Sequence, residues 1–501
     1  MRKLISDGKI EKALILAAKN IDFLFDLGIS LWKDEKYDMT EKVFSQVLVY
    51  DPDNAEAWYN KGIALGNLGR LNEAQACFDE ALKKGMDDTD VWYNKGAVLV
   101  RFQKYREALL CYDEALKRDP DNYQAWSSKG AALHMLGSDG EALACYEEAL
   151  KRDPLNTDAW FNKGTVLKDL GTHIKALTCF DEVIKIDPHY SDAWFNKGMV
   201  LSELEEYVKA LTCFDEVIRI ERHCPDAWFN KGLALLNSKE YEEAAFCFDE
   251  VIKEEPDIAE AWLNKGIALA SLENFTEALE CFNEALKKEH SYTLAWFNKG
   301  VVLEKQGMHD EALTCYEEAL KIDPACDDAW QNKGVALRDT GKYEDAVQCF
   351  DRALMINPHN GETWFNKGVA LGNLGRYDEA LSCYEEALKR NPRNAFIVVN
   401  KGVVLGCLKR YEEAVLCFDE VIKNEPDNVS AWYNKGVVMA SVEKYEEVVH
   451  CSDEVIKRDP NYKEAWQNKG MALKFLGRLN EAQVCFDETA KIISLEDTEE
   501  R

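Results

Sequence analysis

The strongest constraint on this chain is a period. The run Asp192-Ala193-Trp194-Phe195-Asn196-Lys197-Gly198 returns in close copies every 34 residues. Its tryptophan recurs as Trp58, Trp92, Trp126, Trp160, Trp194, Trp228, Trp262, Trp296, Trp330, Trp364, Trp432 and Trp466, and Val398 alone interrupts the series. A fixed period of this length predicts a solenoid in which each unit buries its apolar face only against its neighbours. Function must then be read from a repeated surface.

Each copy divides into two helices by its own punctuation. In Gly361–Asn394, Trp364, Gly368 and Leu371 stand at i, i+4 and i+7, the spacing of one packed helix face. This first helix, A, is expected to run to about Asn373 and to stop at Gly375, a place held by Gly in seven of thirteen strong copies and suited to a left-handed cap. The second helix, B, is expected from about Tyr377 to Lys389, with Ala380, Tyr384, Ala387 and Leu388 facing inward. It closes at Asn391-Pro392. Ten of the eleven prolines occupy that closing position, and Pro225 opens a helix A. Residues 21–54 form a degenerate first copy that keeps Gly28, Tyr37, Phe44 and Pro52 but has Leu24 in place of Trp. Residues 1–20 read as an N-terminal capping helix, 55–496 as thirteen contiguous copies, and 497–501 as an acidic tail.

The 34-residue unit with Trp, Gly, Leu, Ala, an aromatic, Ala and Pro at these offsets resembles the tetratricopeptide repeat, in a long array of prokaryotic type. The resemblance covers 476 of 501 residues, from 14 × 34. It implies an all-α fold, a right-handed superhelical α-solenoid of about fourteen helix-turn-helix repeats. One departure is consistent. Where the common pattern has Leu before the Gly, all thirteen strong copies have Lys, as in Lys197 and Lys231. The Lys stem is expected to pack along the helix pair, with the ammonium paired to a helix B acid of the Asp215-Glu216 type.

Composition narrows the function classes. With Lys+Arg 61 against Asp+Glu 91, the net charge of −30 repels phosphate backbones and anionic membrane surfaces, so neither nucleic acid nor membrane is expected as a partner. The opening Met1 to Asn20 has only a short apolar run between Lys12 and Lys19, which supports no signal peptide or span and suggests a cytoplasmic protein. Thirteen of sixteen cysteines share one register, from Cys77 to Cys485, and stacked helices about 8–10 Å apart hold such a ladder too far apart for bridges. These thiols read as small apolar fillers. No phosphate loop, dinucleotide fingerprint, zinc-hydrolase motif or nucleophile elbow occurs, and acidic pairs such as Asp181-Glu182 and Glu317-Glu318 read as a solvated helix face. A noncatalytic protein with no cofactor and no metal is expected.

The candidate site is the face of helix A away from Trp, which in one copy carries Asp192, Phe195, Asn196, Met199, Ser202 and Glu203. Aromatics recur on it as Tyr59, Tyr93, Phe161, Phe195, Phe229, Phe297, Phe365 and Tyr433. Asn follows at Asn60, Asn94, Asn162, Asn196, Asn230, Asn264, Asn298, Asn332, Asn366, Asn400, Asn434 and Asn468, with Ser128 as the exception. Asn is a mediocre helix former, and its amide both donates and accepts, so the ladder suits the main chain of an extended peptide. Tetratricopeptide superhelices of certain glycosyltransferases hold a peptide by a similar Asn ladder, and the resemblance implies that role here. Packing within or between repeats is the alternative for both series. Two variable places late in helix A, such as Lys168-Asp169 and Glu304-Lys305, would set specificity, and first-turn acids such as Asp192 favour a neutral to basic segment. The basic set that clamps a terminal carboxylate in chaperone adaptors is not seen. The expected function is a protein–protein interaction scaffold that binds extended peptides, and the alternative is self-association through the C-terminal end, where Ile492, Ile493 and Leu495 close the last helix. Around Val398 the stack is either a softer joint or locally repacked.

Overall fold

A computed structural model describes residues 20–499, with side chains through Ile493. Apart from Asn20 the expected capping helix lies outside the described residues, as does the side chain of Leu495. Among the described residues there are 28 α-helices and no strand. They alternate as A and B helices, from Ile21–Lys33 and Tyr37–Tyr50 to Lys463–Phe475 and Leu479–Glu499. The chain groups into two compact units, Met1–Glu254 and Glu255–Arg501.

Several helix A starts have a cap that the periodic reading passed over. Asn20, Asn54, Asn122, Asn156, Asn360, Asn394 and Asn428 each accept a hydrogen bond from the backbone N–H three residues on, and Asp88 does the same for Val91. This satisfies one of the four N–H groups that a helix start leaves open. At the other end, the stop position is left-handed in every copy, whatever residue stands there. Gly375 has φ 75°, and Glu35, Gln103, Glu205, Lys239, Glu273, Lys409 and Glu443 have φ between 58° and 66°. The turn geometry is therefore set by stacking of the helix pair, and Gly only lowers its local cost.

Inside each pair one contact repeats. A Cβ placed on Gly198 would lie 2.8 Å from Cε1 of Phe214, and the same clash, at 2.6–2.8 Å, arises between Gly28 and Phe44, Gly96 and Tyr112, and Gly368 and Tyr384. Helix A can approach helix B only because it lacks a side chain there, and the aromatic fills the space. The degenerate first copy obeys the same rule, and its Leu24 is fully buried where other copies have Trp. The core is a string of small clusters, such as Leu201, Ala210, Cys213, Phe214 and Ala234, each shared between adjacent copies.

Around the missing Trp the stack is repacked. Ile397, Val398 and Val399 are all buried, within a continuous cluster that runs from Leu337 to Val438. Within each unit successive A helices touch one another, whereas each B helix is in substantial contact only with the A helices beside it. Helices A thus converge on a tighter, inner side and helices B splay on the outer one.

The Gly–aromatic contact generates a differential prediction. Gly198→Ala is expected to destabilise by on the order of 1 kcal/mol or more, because overpacking outweighs the helix propensity that Ala adds. Gly436→Ala should cost less, since Ser452 replaces the aromatic in that copy and the new Cβ would meet only Cys451 Cβ at 3.3 Å. Urea unfolding midpoints of the two variants check the order.

Candidate functional site

The inner wall is held in place by what lies behind it. The indole N–H of Trp194 donates to the carbonyl of Pro188 at 3.0 Å, and Trp58, Trp126, Trp160, Trp330, Trp364, Trp432 and Trp466 do the same to the proline six residues earlier. Where Met86 replaces the proline, Trp92 donates instead to Oδ1 of Asp87 at 2.7 Å. One face of the ring receives the Lys three residues on, with Lys197 Nζ 5.3 Å from the Trp194 centroid. In four copies an Arg from helix B lies over the same ring, as Arg118 does over Trp92 and Arg152 over Trp126. The Lys also pairs with a helix B acid, as expected, and that acid belongs to the preceding copy. Lys197–Asp181 and Lys231–Asp215 are both 2.6 Å, Lys367–Asp351 is 2.6 Å, and Lys401–Glu385 is 3.2 Å. Half-exposed acids make each pair worth little alone. As a series they fix the register of each copy on the last. The paired acids separate as expected of a helix surface: Asp181 meets Lys197 and Glu182 meets Lys185.

On the inner face the Asn ladder is half-buried, apart from the buried Asn366. Asn60, Asn94, Asn196, Asn230, Asn264, Asn298, Asn400 and Asn434 donate through Nδ2 to the carbonyl one turn back, at 2.8–2.9 Å. This back-bond orients the amide and still leaves one N–H and the oxygen. Some ladder residues also bond the preceding copy. Asn94 donates to the Tyr59 hydroxyl at 3.1 Å, Lys168 donates to Oδ1 of Asn196 at 2.8 Å, and Arg338 donates to Oδ1 of Asn366 at 2.6 Å. Asn162, Asn332 and Asn468 stand in the same register, and Asn332 bonds the Tyr316 hydroxyl.

The aromatics beside the ladder are half-buried and not freely presented. Tyr59, Tyr93, Phe161, Phe195, Phe229, Phe297 and Phe365 each lean on the helix B aromatic of their own copy, with ring centroids 5.7–6.2 Å apart. Tyr433 has Ser452 at that place and turns to Tyr462, at 5.1 Å. These rings brace the wall and expose an edge. Late in helix A, the variable residues join successive copies. Arg101 donates to the Gly66 carbonyl of the preceding copy, whereas Glu304 accepts from the Tyr316 hydroxyl of its own copy at 2.7 Å while burial raises its carboxyl above the usual range. The first-turn acids Glu56, Asp90, Asp158, Asp192, Asp226, Glu260, Asp328, Glu362 and Glu464 differ from both groups in lying exposed.

Among the described residues, no group of three His, Cys, Asp or Glu could hold a metal, and no helix is long and apolar enough to cross a membrane. The stacked helix pairs and their ladders thus define a repeat protein whose distinctive chemistry lies on one continuous face per unit. Family models described as tetratricopeptide repeat match residues 43–76, 89–122, 111–144, 145–178, 179–212, 229–292, 293–326, 327–360, 361–394, 408–447 and 451–484. The chain belongs to the tetratricopeptide repeat family, whose members serve as scaffolds for protein–protein interaction. No match was found among curated proteins. Among solved structures, the chain is similar to the Cut9–Hcn1 hetero-tetramer of APC/C, at 16% identity over 93% of this chain and 98% of that one, with a TM-score of 0.40. It is also similar to YrrB, described as a tetratricopeptide repeat protein with an unusual peptide-binding site, at 28% identity over 37% and 96% of the two chains, TM-score 0.35. PilF of Pseudomonas aeruginosa matches at 18% identity over 41% and 94%, TM-score 0.38.

The thiols divide by burial. None of the sixteen is in a disulfide. Desolvation pushes Cys213 and Cys383 in the ladder up to about 11, whereas Cys407, outside the ladder, is exposed on a helix A. At pH 8 a thiol reagent is therefore expected to label Cys407 first and the buried ladder only on unfolding. Peptide mapping by mass spectrometry after timed alkylation checks that order.

Proposed function

We propose that the chain is a noncatalytic scaffold whose inner helix A wall holds extended segments of partner proteins through their main chain. The observation that carries this reading is the state of the Asn amides. In eight copies the amide is oriented by a bond to its own helix, and the Oδ1 atoms of Asn196 and Asn366 accept N–H donors from Lys168 and Arg338. An N–H group on the inner wall thus meets an oriented acceptor. A peptide N–H would find the same oxygen in copies where no cation occupies it. Exposed acids along the wall favour neutral to basic segments, and the net charge of −30 disfavours nucleic acid and anionic membranes. A cytoplasmic setting suits sixteen cysteines that form no disulfide.

A second reading, self-association, draws support from the last helix, which exposes Leu479, Val484 and Ile493 at 63%, 57% and 45%. Light scattering across a concentration series tests it, and a monomer at high concentration removes it.

For the groove, the test is Asn230→Ala combined with Asn264→Ala, two back-bonded positions. Ala is the better helix former, so helicity and melting temperature should hold. Loss of two main-chain bonds should weaken capture of native partners by roughly tenfold, read by quantitative mass spectrometry of affinity eluates. Undiminished capture by the folded double variant would sink the groove reading.

A further inference from the structure

Charge is unevenly spread along the inner wall of the second unit. In copies 327–360 and 361–394 the wall carries the exposed carboxylates of Asp328 and Glu362, neither of which pairs with a cation among the described residues, while the one wall cation there, Arg338, is taken up by Asp339 and Asn366. In copies 395–428 and 429–462 it carries no charge at all. The first-turn acid is replaced by Phe396 and Ser430, and the late variable places hold Gly406-Cys407 and Ala440-Ser441. The apolar residues there are also more exposed. Val335 and Val369 are half-buried, whereas Val403 and Val437 in the same register are 37% and 40% exposed, and Phe396 is 76% exposed. Asn400 and Asn434 are back-bonded at 2.8 Å, and among the described residues no side chain takes their Oδ1 atoms.

We propose that this wall takes a bipartite extended segment from another protein, in which a run of uncharged, apolar residues lies over Phe396, Val403 and Val437 and adjoining basic residues face Glu362 and Asp328. The inference rests on the groove reading and adds the chemistry of the occupant. Charge complementarity selects the basic part, since two unpaired carboxylates stand beside an apolar patch on one face. Geometry sets its length. Neighbouring helices pack about 8–10 Å apart and an extended chain advances about 3.3–3.6 Å per residue, so each copy spans about three residues. The uncharged part is then about six residues long, and the basic residues are spaced about three apart.

The test uses the full chain and labelled synthetic peptides of about twelve residues. One carries two Lys about three apart beside six uncharged residues that include Phe and Leu, and a second has the reverse order. Controls replace Lys by Glu, or Phe and Leu by Ser. Fluorescence anisotropy is expected to show one of the two orders binding roughly tenfold tighter than both of its controls. Val437→Lys should remove that margin without loss of helicity, and Glu362→Gln should reduce the preference for Lys over Glu several-fold. Phe396→Ser provides a second variant at an exposed site that carries no folding burden.

Equal binding of patterned and control peptides, indifference to both Val437→Lys and Phe396→Ser, or no binding at all would overturn the inference. Pattern-indifferent binding that is still lost in an Asn400→Ala, Asn434→Ala variant would overturn only the bipartite occupant and leave the groove. Peptide binding that ignores the Asn residues would count against the groove itself.

Discussion

The whole structure depends on the absence of one side chain. Helix A lies on helix B at a distance that leaves no room for a Cβ at Gly198, because the Phe214 ring already occupies it. Once that contact sets the pair, the rest of the copy has little freedom. Leu201, Cys213 and Ala234 close around the ring, and the A-to-B turn must pass through a left-handed residue even where the chain supplies Glu205 or Gln103. Close packing makes this local rule rigid, since a core without voids transmits any change in the pair to its neighbours.

A second layer of contacts converts rigid pairs into a registered stack. Most of the Trp rings are tied at the nitrogen to the loop before their own helix and covered by a Lys that, in most copies, reaches back to the previous copy. Most of these contacts are individually weak and half-exposed. They serve as alignment, so that successive A helices meet in the same way and their inward-facing residues form one wall per unit. The presentation of Asn and aromatic edges on that wall follows from contacts made on the opposite side of the helix.

Much of the fold was legible because it is written in residue identity and spacing. Trp, Gly and Pro announce a helix face, a close approach and a stop, and their 34-residue return announces stacking. The Lys in place of Leu pointed correctly to a helix B acid, but only three-dimensional stacking selects Asp181 of the preceding copy over Asp215 of its own as the partner of Lys197. The left-handed stop was readable where Gly stood and invisible where Glu443 or Lys409 stood, because there packing, not propensity, dictates the backbone. The wall was harder. Register identified Asn230 and Phe229, yet whether an amide bonds its own helix or a ring leans on helix B depends on side-chain torsions that spacing does not encode. Asn394 as a helix cap carried a readable signal in its position just before the next helix A, and periodicity alone passed over it.

The segmented core makes the array's length a heritable variable. Since most junctions use the same Gly–aromatic fit, the same Trp-to-carbonyl tether and the same Lys-to-acid reach, excising or duplicating one 34-residue block rejoins surfaces that already match. Recombination can therefore lengthen or shorten the wall without inventing a new interior. The block at 395–428 is exempt, because Ile397, Val398 and Val399 are fitted to particular neighbours across a cluster spanning Leu337 to Val438. Growth and loss by duplication should thus fall elsewhere in the array and leave the uncharged stretch of wall at that block in place.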